Sequence, residues 1–273
     1  MKITALMDNV ASEHKGLISE HGLSYYIDTG KSHIIFDCGG SIHPFENAGK
    51  MNISFDKVND VIFSHGHYDH SAGFREAQQL ICPKRVITGK DFFDEKYAYD
   101  GTIITYLGNG FGKEFLEEKG IIHIVCEREF QIDDNCFAIS DFERVMPFEK
   151  IPERFFVLKE EKLIRDDFHD EICLVIKTQK GLVVILGCSH PGLLNMLRRI
   201  HTYFNHNIYA VFGGTHLVEA DEKRISVSLE EMKAFGVKVL CMSHCSGNKA
   251  LDMAKEFEGI ISVPLSVGST FII

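Results

Sequence analysis

The chain has 273 residues, 45% of them hydrophobic, and its 39 acidic side chains against 29 Lys and Arg give a formal net charge of -10. That much apolar material argues against a disordered chain and suffices for a large core, built as one domain over residues 1–273 or from two fused halves. The acidic balance argues against a general nucleic-acid or membrane-binding surface, which asks for a basic face. Phosphorylated small substrates stay open, because bound cations reverse the local sign.

From the N-terminus, residues 1–8 hold too short an apolar run for a signal peptide, and no later stretch approaches the ~18 uncharged apolar residues of a membrane span. A cytoplasmic protein is expected. After the apolar residues 34–36, Asp37 reads either as a turn residue or as the acceptor for the outer proton of a metal-bound imidazole. The run Val61, Ile62, Phe63 reads as a buried strand. Directly after it, the segment Ser-His-Gly-His-Tyr-Asp-His packs His65, His67, Asp69 and His70 into six residues. Imidazole nitrogen and carboxylate oxygen suit zinc, iron or manganese. His65 and His67, two apart on extended backbone, point the same way and can chelate one ion. Asp69 and His70 follow where the chain bends into a helix and can face a second. A surface loop that happens to be rich in histidine is the bland alternative, and four ligand-type side chains at this spacing weigh against it.

Residues 88–160 mix Phe92, Phe93, Tyr97, Tyr99, Tyr106, Phe111 and Phe115 with charge and glycine. They read as a substrate lid, a dimer contact or a link between halves. Three more apolar runs then end in histidine, over residues 183–190, 210–216 and 239–244. Such runs suit strands buried on both faces. Helices separate them: Leu193, Leu194, Leu197 and Ile200 recur at helical spacing after Pro191, and a second helix is opened by a Ser228–Glu231 capping box and ended by Gly236. Strand and helix alternation places the strands in one sheet with a shared carboxyl edge, so the four histidine-bearing loops are expected to converge. His190 and His244 each read as metal ligands, against the alternative of ordinary hydrogen-bonded strand-end histidines. For His216, proton transfer or substrate contact stands beside ligation. Gly213-Gly214 lacks the spacing of a dinucleotide signature and reads as a close backbone approach. The eight cysteines contain no Cys-x-x-Cys pair and read as reduced thiols.

His-x-His-x-Asp-His followed by single ligands at later strand ends resembles the metallo-β-lactamase superfamily, over nearly the whole chain. The segments Glu-His-Gly-Leu-Ser at 20–24, Ile-Phe-Asp-Cys-Gly at 35–39, Gly-Cys-Ser-His-Pro-Gly at 187–192, Gly-Gly-Thr-His-Leu at 213–217 and His-Cys-Ser-Gly at 244–247 resemble one subgroup. Its members are labelled synthases of a dihydropterin-methyl-ribofuranosylaminobenzene phosphate. The resemblance implies an α/β fold, a four-layer αββα sandwich of two similar halves, with metals at one edge between the sheets. His21 and Ser24 would then line the pocket. The superfamily's bridging Asp is replaced here by Cys188, so either that thiolate or His190 completes the coordination, with His190 preferred. In the stretch matching the middle ligand, Asp170 is preferred and His169 second, against a solvated acidic turn before Ile172.

Two divalent ions, zinc first and iron or manganese as alternatives, would be held by His65, His67 and His190, and by Asp69, His70 and His244. Water between such ions, its pKa lowered to about 7, supplies hydroxide for attack on a carbonyl or phosphoryl group. Asp69 and His216 are the catalytic candidates, His216 as proton donor to the leaving group. The expected function is a metal-dependent hydrolase of a small phosphate- or ester-containing molecule. The rivals are a synthase-type transferase, an iron-dependent redox protein and a non-catalytic metal-binding protein. The expected partners are a small-molecule substrate and a second copy in a homodimer, with neither nucleic acid nor membrane.

Overall fold

The computed structural model describes residues 1–273, and the chain divides into two units. Unit 1 comprises residues 1–126, 152–170 and 266–273, and unit 2 comprises residues 127–151 and 171–265. In chain order, unit 1 begins with β1 (Lys2–Met7), β2 (Ser24–Asp28), β3 (His33–Phe36), α1 (His43–Lys50) and β4 (Val58–Ile62). The short helices α2 (Tyr68–Ser71) and α3 (Gly73–Ala77) lead to β5 (Arg85–Thr88), β6 (Lys96–Tyr99), β7 (Ile104–Tyr106), α4 (Lys113–Glu118) and β8 (Ile122–Val125). Unit 2 then opens with β9 (Glu129–Asp133) and β10 (Cys136–Ile139), before β11 (Phe155–Lys159) and β12 (Lys162–Arg165) return to unit 1. Unit 2 resumes with β13 (Cys173–Thr178), β14 (Gly181–Leu186), α5 (Leu193–Phe204), β15 (Ile208–Gly213) and α6 (Glu222–Ala234). It closes with β16 (Val239–Met242), α7 (Asn248–Glu256) and β17 (Ile261–Ser262), and β18 (Thr270–Ile272) rejoins unit 1.

In unit 1, seven strands line up in the order β18-β1-β2-β3-β4-β5-β8, and β3, β4, β5 and β8 run parallel. Ile35, Val61 and Val86 of these strands pack with Phe45 and Ala48 of α1 and Phe74 and Ala77 of α3. Phe63, one residue past β4, meets Phe74 edge-on at 5.3 Å and stacks on Phe92 at 5.3 Å. The aromatic middle segment is therefore partly core, since Phe92 and Phe111 are buried. Around it, β12-β11-β6-β7 form a separate antiparallel sheet. Its outer strand β7 is wholly exposed.

In unit 2, the order is β17-β16-β15-β14-β13-β10-β9, with β14 to β17 parallel. All six residues of β14 are buried, as a strand with no polar alternation should be. One face packs Val184, Leu186, Val211 and Leu240 with Leu193, Leu194, Leu197 and Ile200 of α5 and Ile225, Leu229 and Met232 of α6. The Leu193 to Ile200 spacing thus forms the helix expected of it.

Two expectations are corrected. The four histidine-ended strands do not share one sheet: β14, β15 and β16 do, whereas β4 belongs to the sheet of unit 1. Apolar runs declare burial but not which neighbour a strand pairs with. The second helix starts at Asp221, whose side chain accepts from Arg224 N at 2.8 Å, and Ser228 lies buried within it. Asp221 offers the stronger cap because its carboxylate is available at the end of an extended segment, while Ser228 is already enclosed by the core. Gly236, at φ +94°, does follow the end of α6. No helix is long and apolar enough to cross a membrane.

Leu197 is fully buried in the α5 face. Leu197→Ala is expected to lower the unfolding free energy by about 2–5 kcal/mol in urea titrations followed by circular dichroism. A loss under ~1 kcal/mol would contradict the packing of this helix.

Candidate metal centre

The histidine-rich loop of unit 1 leaves the carboxyl end of β4 and is fixed by a buried carboxylate. Asp37 sits just past the end of β3, fully buried, with its backbone in the left-handed region at φ 58°. Its Oδ1 accepts from Ser64 N at 2.7 Å, and its Oδ2 accepts from Ser64 Oγ at 2.7 Å and pairs with His70 Nδ1 at 2.7 Å. Burial pushes the Asp37 carboxyl up, while His70 and Ser64 hold it down. With Nδ1 turned to Asp37, Nε2 is the nitrogen that His70 could offer to a metal, which is the arrangement a supporting carboxylate would give. Two backbone bonds lock the rest of the loop, Leu23 N to Asp69 O at 3.1 Å and Cys38 N to His70 O at 2.6 Å.

The same loop brings its candidate ligands together. The His65 ring centroid lies 4.6 Å from that of His67 and 4.3 Å from that of His70. Burial, reinforced by His70 and His67, holds His65 well below the usual imidazole range, which keeps it in the neutral, ligating form at pH 7. Ser64 Oγ is 3.0 Å from His65 Nδ1, so the outward nitrogen is again Nε2. Asp69 is buried, with Oδ2 3.0 Å from His21 Nε2 and 3.8 Å from His70 Nε2. His21 is itself largely exposed. Gly66 cannot carry a side chain, because a Cβ there would lie 2.4 Å from Phe92 O.

Asp170 is buried in unit 1 with both oxygens engaged: Oδ2 accepts from Gly66 N at 2.7 Å and Oδ1 from Lys96 Nζ at 3.0 Å. Burial pushes its carboxyl up to about 6, against the pull of Lys96. His169, the second candidate for this position, lines a small cavity with Lys159, Arg165 and Asp167.

In unit 2 the loops after the parallel strands β14, β15 and β16 carry the remaining candidates. Glu171 accepts from Ser189 N at 2.6 Å and His190 N at 3.2 Å, and Ser189 Oγ donates to Gly214 O at 2.8 Å. The His190 and His216 ring centroids are 4.6 Å apart. Cys188, His244 and Cys245 each place a ligand atom within 4.8 Å of the others. The Gly213-Gly214 pair serves the close approach expected of it: a Cβ at Gly213 would lie 2.1 Å from Leu186 O, and one at Gly214 would lie 2.5 Å from Gly187 O. Ser189, His216 and His244 all adopt left-handed backbone, at φ 64°, 49° and 51°. Non-glycine residues pay about 1–3 kcal/mol for such conformations, and the cost concentrates where function holds it in place.

The donor set, imidazoles of which His65 and His70 are oriented by hydroxyl and carboxylate partners, together with carboxylates and thiols, fits divalent transition metals. Sequence reasoning missed Lys96, Glu171, Ser64 and Cys245. Lys96 stands in a Lys-Tyr-Ala-Tyr strand where nothing local marks it as buried. Glu171 had a usable signal in its position at the mouth of the apolar run 172–176.

The model of the metallo-beta-lactamase superfamily matches residues 19–185. A Methanocaldococcus jannaschii protein named 7,8-dihydropterin-6-methyl-4-(beta-D-ribofuranosyl)-aminobenzene-5'-phosphate synthase is 30% identical, covering 94% of this chain and 91% of its own. The crystal structure of Tm1679, described as a metal-dependent hydrolase of the beta-lactamase superfamily, is similar at TM-score 0.87 and 33% identity, covering 100% of this chain and 99% of that one. Zn(2+)-bound PqqB from Methylobacterium extorquens shares the fold at TM-score 0.59 and 10% identity, covering 100% of both chains. The chain therefore has the α/β metallo-beta-lactamase fold expected from its motifs.

Asp37→Ala removes the acceptor of three hydrogen bonds in a fully buried position. The unfolding free energy of the metal-free protein is expected to fall by about 3 kcal/mol or more in urea titrations. A change below ~1 kcal/mol would show that the loop does not depend on this carboxylate.

Proposed function

The chain belongs to the metallo-beta-lactamase superfamily, and we propose on that premise that it is a metal-dependent hydrolase acting on a small molecule with a phosphate or ester group. The observation that carries the reading is the clustering of His65, His67 and His70 on a loop whose ring orientation is set by Asp37 and Ser64. The relative Tm1679, at 33% identity, is described as a metal-dependent hydrolase, which supports the same class.

In this reading the loop of unit 1 offers His65, His67, Asp69 and His70 to divalent ions and the loops of unit 2 offer His190 and His244, zinc being the first choice. Bound ions supply Lewis acidity and lower the pKa of a water at the site to about 7. The protein's own part is to keep His65 neutral, aim His65 and His70 through their Nδ1 partners, and hold Asp69 and His216 for proton transfer. The left-handed backbone of His216, which turns the chain just after β15, supports this reading. Glu171 fixes the His190 loop by its backbone N–H groups.

One observation favours a second reading. The Methanocaldococcus jannaschii relative, at 30% identity over nearly its full length, is named a synthase, so group transfer on a phosphorylated substrate stands as the alternative.

Metal analysis of tag-free protein prepared without chelator is expected to give close to two ions of zinc, iron or manganese per chain, reduced in His67→Ala. Turnover of bis-p-nitrophenyl phosphate by the loaded protein, lost in the same variant, supports the hydrolase. Full metal content without turnover of phosphodiester or ester substrates moves the assignment to transfer. Less than ~0.5 ion per chain, unchanged by the substitution, removes both.

A further inference from the structure

Three charged side chains beside the histidine loop of unit 1 are left without a function by the reading above. Lys96, Asp166 and Asp170 are all buried, with Lys96 Nζ 2.6 Å from Asp166 Oδ2 and 3.0 Å from Asp170 Oδ1. Burial opposes the charge on Lys96, but Asp170 and Asp166 outweigh it and hold the ammonium protonated. Buried charge is a costly core filling, since apolar residues of the same volume are often as stabilising. What a charged set supplies, and an apolar one cannot, is an acceptor aimed at a particular donor.

That donor is the N–H of Gly66, the residue between His65 and His67, which gives its hydrogen bond to Asp170 Oδ2 at 2.7 Å. A second route reaches the same histidines. Asp166 Oδ1 accepts from Phe168 N at 2.8 Å, and Phe168 adopts left-handed backbone at φ 51°. Its ring lies 5.4 Å from the His67 ring and 6.1 Å from the His65 ring, both edge-on, with Lys96 Nζ over its face at 4.7 Å. Lys96 thus organises both the carboxylate that holds the backbone between the two ligands and the aromatic wall beside their rings.

We propose that Lys96 and Asp170 form a positioning clamp that sets the His65–His67 chelate through the Gly66 N–H, with Asp170 acting on metal affinity through that bond and not as a ligand. The inference rests on metal binding at His65 and His67. Supporting partners of this kind typically change metal affinity by about 10- to 100-fold. Lys96→Met leaves two buried carboxylates facing each other, and Asp170→Ala takes the acceptor from Gly66. The double substitution Lys96→Met/Asp170→Asn conserves the net charge of the cluster and retains an amide oxygen able to accept from Gly66.

The test is Co2+ titration of the metal-free full chain by visible absorption, with urea unfolding of each metal-free variant alongside. Asp170→Ala and Lys96→Met are each expected to weaken Co2+ binding by about 10-fold or more and to shift the absorption bands, while the double variant returns to within about 3-fold of the parent. A double variant no better than Asp170→Ala would make Asp170 a ligand and overturn the clamp. Parent-like binding in every variant would overturn it as well, as would affinity losses that merely follow unfolding of the metal-free protein. If the parent chain itself takes up no Co2+, the metal reading fails first, an outcome distinct from all of these.

Discussion

A carboxylate buried at the end of a parallel strand needs enough donors to stay there, and Asp37 finds them in the loop that leaves the neighbouring strand. Ser64 supplies two and His70 a third. The bonds act in both directions: they make the burial of Asp37 tolerable, and they fix the rotation of an imidazole that would otherwise turn freely about its side-chain bonds. The parallel arrangement of β3 and β4 is what makes this possible, because it brings the two carboxyl ends to the same edge of one sheet. Everything downstream in the loop, including the spacing of His65 from His67 and the entry into α2, inherits its frame from that pair of strand ends.

Unit 2 solves the same problem differently. Its loops after β14, β15 and β16 turn through left-handed residues that are not glycine, and Glu171 holds the first of them by two backbone N–H groups. The glycines Gly213 and Gly214 let the next strand end pass within contact of Leu186 and Gly187. Left-handed backbone at Ser189, His216 and His244 shapes the loops that carry the histidines there, whereas in unit 1 the side chains of Asp37 and Ser64 turn the rings of His65 and His70. A substitution that alters backbone preference, such as one at Ser189, therefore acts on the loops of unit 2 through their conformation.

Much of this was legible beforehand, for definable reasons. Buried parallel strands and an amphipathic helix leave strong periodic signals, so β4, β14, β15, β16 and α5 could be located from residue type alone. Ligand spacing in the loop 65–70 is a local property, and so is the suitability of Asp37 as an acceptor. What stayed hidden is non-local. Lys96 looks like any surface lysine on a strand until the partners 70 and 74 residues further on are known. Pairing of β4 with β3 and β5, in a different sheet from the other histidine-bearing strands, depends on competition between equally apolar runs. The start of α6 was misplaced because Ser228 and Glu231 imitate a cap in sequence, while only the surroundings reveal that Ser228 is interior.

The bond from Gly66 to Asp170 joins residues 104 positions apart. During synthesis the histidine-rich loop leaves the ribosome complete in its ligands but without this anchor, and β11 and β12, which share a sheet with the strand of Lys96, arrive only after all of β9 and β10. At about 5–20 residues per second, the interval amounts to roughly five to twenty seconds. Until residue 170 has been made, the backbone between His65 and His67 lacks the acceptor that fixes it in the finished fold, so the geometry of this turn is settled late in the life of the chain as it is built.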